Sequence, residues 1–186
     1  MKNNDNKINS EESTKDKVIK GIKELIPYVL ILVIVVVIRT FFVTPVIVSG
    51  PSMKPTLKGG EVMLLNKTKD SYDRFDVVVA EASKNGKKEE IIKRVIALPG
   101  ENIVCEQGIV YVNGIRQDEE YSVGNTYDFE FLQLGDDEYF LMGDNREDSL
   151  DSRFFGAFNS EKIKGKANII LFPFGSFGNV DKNDKE

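Results

Sequence analysis

A serine flanked by two prolines and a lysine inside an apolar run are the side chains of this sequence best suited to covalent chemistry. Ser52 stands in SGPSMKPTL, residues 49–57. Gly, Pro and Ser in one short window mark a turn, so this window alone reads first as a turn and only second as a nucleophile on a stiff backbone. Lys93 stands in EIIKRVIALPGE, residues 90–101. On strand alternation Ile91, Lys93, Val95 and Ala97 share one face and Ile92, Arg94, Ile96 and Leu98 the other, so whichever face is buried takes a cation with it. An edge strand with Lys93 reaching back to solvent is the plainer alternative. If Lys93 is buried, desolvation disfavours its ammonium and lowers its pKa from the aqueous ~10.4. A neutral amine can then take the proton of a serine hydroxyl.

The chain contains no histidine. That removes Ser-His-Asp and Cys-His sites, histidine-ligated zinc and the usual near-neutral base. Acid–base work must fall to a retuned Lys, Asp or Glu. A third stretch, MGDNREDSLDSRFFG (residues 142–156), crowds Asp144, Asn145, Arg146, Ser149, Asp151, Ser152 and Arg153 between aromatic and apolar residues. A solvated loop explains most such charge runs. Its hydroxyls and paired charges also suit holding a buried amine, with Ser149 bonded to Lys93 and Asp151 neutralised by Arg153.

These residues need a scaffold. With 186 residues, a hydrophobic fraction of 41% and a charged fraction of 30%, the chain suits one globular domain plus appendages. The net charge of −5 argues against a nucleic-acid partner, which would meet a basic face. The single Cys105 permits neither an intrachain disulfide nor a cysteine-built metal site.

Residues 1–17 are polar, lack periodicity and read as a mobile tail. LIPYVLILVIVVVIRTFFV follows, 19 residues from Leu25 to Val43. As a helix it spans about 28 Å, close to the thickness of a bilayer core. A cleaved signal peptide is the rival, but no small-x-small site follows closely and Pro45 and Pro51 interrupt the downstream chain. The reading is an uncleaved anchor over 18–43. Lys15, Lys17, Lys20 and Lys23 crowd its N-terminal flank, which places the tail in the cytoplasm and the rest outside. From residue 46 short β-branched runs alternate with Gly, Asp, Asn and Pro, and EQG and VNG mark hairpin turns. The expected fold is mainly β, a barrel or sandwich over 44–178, with a disordered tail at 179–186.

SGPSMKPTL, RFDVVVAEA, IIKRVIALPGE and GDNREDSLDSRFFG resemble, in order, the successive boxes of type I signal peptidases, in the short form with one N-terminal span found in Gram-positive bacteria. The resemblance runs from Phe41 to Phe174. It implies a membrane-bound Ser-Lys endopeptidase that removes signal peptides of Ala-x-Ala type from exported preproteins, with membrane lipid as its other partner and no metal or cofactor. By motif position Ser52 resembles the nucleophile and Lys93 the general base. Ser149 matches the hydroxyl that orients the lysine, Asp151 and Arg153 a supporting ion pair, and Asp144 and Arg94 further structural partners. Val46 and Val48 resemble positions lining shallow substrate pockets, with Met53 and Ile92 nearby. One departure is Gly50, where some members carry a serine whose hydroxyl helps bind the oxyanion. The Ser52 backbone N–H should still donate. A self-cleaving Ser-Lys regulator and a noncatalytic anchored β domain are the competing readings. The span and the acidic charge oppose the first, and Lys93 in an apolar strand is superfluous to the second.

Overall fold

A computed structural model of the chain describes residues 2–68, 71–84 and 86–180. The chain divides into two compact units, Met1–Phe42 and Val43–Glu186.

The first unit is one helix, α1 (Lys2–Phe41). Residues 2–17 were expected to be an irregular tail, yet the helix begins at Lys2. No Gly or Pro interrupts that segment, and its Lys and Glu residues are good helix formers. Within α1, Ile19–Phe41 has mean hydropathy 2.5 and none of its window is buried. These 23 residues reach about 34 Å, long enough to cross a bilayer.

The second unit is built from twelve strands: β1 (Val43–Ile47), β2 (Val62–Asn66), β3 (Val77–Lys84), β4 (Lys87–Ala97), β5 (Asn102–Glu106), β6 (Ile109–Val112), β7 (Ile115–Arg116), β8 (Phe129–Gln133), β9 (Glu138–Met142), β10 (Phe158–Asn159), β11 (Ile163–Phe172) and β12 (Gly178–Asn179). The larger sheet runs β1-β2-β11-β3-β4-β9-β10, with β12 added to β11. The smaller is β7-β6-β5-β8. Its two hairpins turn at Gln107-Gly108 and Asn113-Gly114, with φ of 53° and 77° and of 52° and 75°. Positive φ at both central positions is what a tight hairpin requires, and Gly and Asn tolerate it best. Strand β8 lay outside the expected runs. The expected tail boundary at 179 also moves: Asn179 pairs with Ile169, and Val180 is fully buried. Residues 181–186 lie outside the described residues.

Strand β4 organises the interior. Its residues 93–97 are buried on both faces, because Ile92 packs on one core cluster, Ile91 and Val95 on a second, and Ile96 and Ala97 on a third. Alternation suggested one buried cation. Lys93 and Arg94 are both buried, on opposite faces.

Candidate active site

Ser52 sits in the turn after β1, and its neighbours fix that turn. Met53 and Leu57 are buried in the first core cluster, and each contributes about 1.5–3 kcal/mol by burial. The Leu57 N–H donates to Met53 O at 2.8 Å. Glu61 closes the far side by accepting from the N–H groups of Lys58 and Gly59, both at 2.7 Å. Gly50 has φ +84°, a left-handed conformation that a serine there would adopt only with strain. The Asn145 N–H donates to Ser52 O at 3.0 Å, and Asn145 Nδ2 donates to Pro51 O at 3.3 Å. Among the described residues the Ser52 N–H has no acceptor, which leaves it available as an oxyanion donor.

Lys93 Nζ lies 2.8 Å from Ser52 Oγ and donates to Ile92 O at 2.8 Å. The ammonium donates to Ser52; a neutral amine would accept from it. Lys93 is only 3% exposed. Desolvation brings its pKa down from 10.5 to about 8, against the pull of the Asp151 and Asp144 charges and with some help from Arg153. A substantial neutral fraction therefore exists at mildly alkaline pH.

Ser149 was expected to hydrogen-bond Lys93. In the structure Ser149 Oγ donates to Asp151 Oδ2 at 2.7 Å, and no bond to Lys93 forms among the described residues. Asp151 is the stronger competitor because it is a buried carboxylate. With its O–H directed to Asp151, the Ser149 hydroxyl can meet the lysine only as an acceptor. Asp151 also accepts from the Gly143 N–H at 2.9 Å and from Arg153 Nε and Nη2 at 2.9 and 2.8 Å. Burial pushes the Asp151 carboxyl up, but the Arg153 guanidinium and these donors outweigh it and hold the group below the usual carboxylate range.

Asp144 and Arg94 form a second buried pair, with Arg94 Nε to Oδ1 at 2.9 Å and Nη2 to Oδ2 at 2.7 Å. Thr56 Oγ1 donates to Asp144 Oδ2 at 2.5 Å and so ties the Ser52 loop to this pair. The Arg94 guanidinium also donates to Phe75 O at 3.1 Å and lies 4.1 Å from the centre of the Tyr121 ring. Between Asp144 and the core strand, Gly143 has no room for a side chain. A Cβ there would overlap Ser149 Oγ and stand 2.5 Å from Ser52 O.

Two clefts meet at Ser52 and Lys93. The first, about 240 Å³, is lined by Val46, Ile47, Ser49, Val79, Glu90 and Ile92. Strands β1 and β4 are far apart in the pairing order yet share this cleft, so the sheet coils back on itself. Among the described residues β1 is an edge strand that pairs with β2, and from Lys87 to Lys93 β4 pairs on its β3 side. The gap thus lies between an edge of β1 and an edge of β4. Val46 and Ile92 line it, but Val48 and Met53 do not: both are 2% exposed and belong to the core beneath. Alternation continues past the end of β1: Val46 and Val48 both pack on the core cluster beneath, with Val48 the deeper of the two, and the exposed Ile47 and Ser49 line the cleft. The second cleft, about 320 Å³, includes Ser149, Leu150 and Phe155. Among the described residues no group of three or more His, Cys, Asp or Glu is arranged to hold a metal ion.

Sequence reasoning gave no individual role to Thr56, Gly143, Asn145, Ile47 or Ser49. All lie within or next to the quoted stretches, but only folding reveals which of them touch Ser52. It also gave none to Arg146, whose buried guanidinium donates to Gly143 O at 3.1 Å and to Glu119 Oε1 and Oε2 at 2.7 and 2.8 Å. Nothing in the sequence pairs Glu119 with Arg146.

Residues 22–172 match the family model described as Signal peptidase, peptidase S26. Signal peptidase I P of Bacillus subtilis subsp. natto is 38% identical over 179 residues, 88% of this chain and 94% of that protein. Signal peptidase IB of Staphylococcus aureus is 35% identical over 182 residues, 83% of this chain and 93% of its own length. A crystal structure of a signal peptidase I from Enterococcus faecalis aligns with 28% identity and a TM-score of 0.45, covering 53% of this chain and 98% of that one.

Proposed function

The chain belongs to the signal peptidase family, peptidase S26, and from that premise we propose that it cleaves signal peptides from preproteins with Ser52 as nucleophile and Lys93 as general base. The observation that carries the assignment is the 2.8 Å contact between Ser52 Oγ and the buried Lys93 amine. Neutral Lys93 takes the Ser52 hydroxyl proton as Oγ bonds to the scissile carbonyl carbon, and the Ser52 N–H receives the developing oxyanion. As the C–N bond breaks, the Lys93 ammonium returns that proton to the departing amine, leaving an ester on Ser52. Water then attacks the ester and gives a proton to Lys93, which passes it to Ser52 Oγ as the acyl C–Oγ bond breaks and the acid departs.

The gap between β1 and β4 suits an extended peptide, because a docked strand pairs with backbone groups on both sides while alternate side chains enter the cleft. Its small size favours short side chains, consistent with Ala-x-Ala before the cut. Val46, Ile47 and Ile92 supply the apolar contacts, and Gly50 leaves the approach to Ser52 open. The experiment is incubation of the full chain in detergent with an Ala-x-Ala preprotein, reading the new N-terminus. Cleavage at that site by the wild type and none by Ser52→Ala is expected; equal cleavage by Ser52→Ala removes the assignment.

The apolar helix gives the protein its membrane association, and lipid is its second partner. We assign the N-terminus to the cytoplasm because lysines crowd that flank of the span. Protease added to intact spheroplasts should digest the β unit and spare the N-terminal segment. The reverse pattern would invert the orientation.

A further inference from the structure

Both clefts that meet at Ser52 and Lys93 are acidic: the first is lined by Glu89 and Glu90, and the second shares Glu89 with it. The second has an apolar wall, Leu150 and Phe155, and carries three carboxylates, Glu89, Glu147 and Asp148, against one further ammonium, Lys84. All three carboxylates are exposed. The Glu147 carboxylate accepts the Asn125 N–H at 3.1 Å, whereas the carboxylates of Glu89 and Asp148 have no hydrogen-bond or ion-pair partner among the described residues. Their field therefore acts outward, into the cleft.

A peptide bond held at Ser52 must place chain on both sides of the nucleophile. If the first cleft takes the segment before the scissile bond, the segment after it leaves along the second. Three or four extended residues reach about 10–13 Å. We propose that the second cleft receives the first residues of the released chain and favours lysine or arginine there over aspartate or glutamate. This rests on the peptidase reading above. Paired interactions at exposed carboxylates are individually modest, so the expected preference is about 3–10-fold in kcat/KM, and it is screened by salt.

The test uses the full chain in detergent and two preproteins with the same signal peptide and Ala-x-Ala site. They differ only in carrying Lys or Glu at the second to fourth positions after the cut. The Lys preprotein should be cleaved faster at low ionic strength. The ratio should approach one in high salt, and also in the E89Q/E147Q/D148N variant, where the amide oxygen introduced by E147Q can still accept the Asn125 N–H. Equal rates for both preproteins, or a preference that survives the triple variant, would overturn this inference while leaving the peptidase intact. Failure to cut either substrate would overturn both.

Discussion

Arginine in place of Lys93 is expected to lower kcat/KM by about 10³–10⁴-fold, the scale at which a positioned acid–base group contributes. The substitution keeps the positive charge and removes only the ability to lose it, because a guanidinium does not deprotonate in the working range. A role in binding or charge balance would tolerate the exchange; a role as base cannot. Lys93→Met is expected to be equally inactive and to separate catalysis from folding. The folded-state pKa of Lys93, about 8, lies below its ordinary 10.5, so between those values the unfolded chain binds more protons than the folded one. Stability is therefore penalised fully below about pH 8, and the penalty is relieved as pH rises toward 10.5. Removing the amine at neutral pH should relieve about 1–3 kcal/mol. Lys93→Met should then unfold at or above the wild-type temperature. A folded Lys93→Arg protein with substantial turnover would exclude Lys93 as the base.

Asp144→Ala should be the most damaging substitution for stability. It removes the two bonds from Asp144 to the buried Arg94 guanidinium, and Arg94 is 1% exposed. Breaking one partner out of a buried pair costs about 3–5 kcal/mol, mostly as the charge left behind. Phe75 O and the Tyr121 ring still face the guanidinium but cannot neutralise it. Activity should fall as well, since Thr56 loses its acceptor and Asn145, the next residue, holds the Ser52 carbonyl. Thermal unfolding in detergent gives the measure. In the double variant Arg94→Met/Asp144→Ala the loss should shrink, because the orphaned charge is gone. If the double variant is less stable than Asp144→Ala, uncompensated charge is not the cause.

How far such residues were legible depended on the range of the interaction. The membrane helix, the two tight hairpins and the burial of Lys93 follow from local pattern: apolar length, positive-φ residues and strand alternation. The same alternation put Val46 and Val48 on one face but not at one depth: Val46 reaches the cleft while Val48 is buried in the core. It failed to foresee that both faces of β4 would be buried, since that depends on packing between two sheets. The Asp151 carboxylate could be read as a partner of Arg153 from spacing alone. That it would also accept the Ser149 hydroxyl's hydrogen bond depended on a geometry set by Gly143 and β9. Glu119 lies 27 residues from Arg146 in a different loop, and only the fold joins them.

The central claim is that a buried, neutral Lys93 activates Ser52, and the pH dependence of kcat/KM on an Ala-x-Ala preprotein tests it most directly. The free enzyme should gain activity through a single ionisation near 8, plateau above it, and show no turnover at any pH when Ser52 is alanine. A profile that is flat from pH 6 to about 9, or that rises only through the ordinary lysine range above 10, would contradict the account.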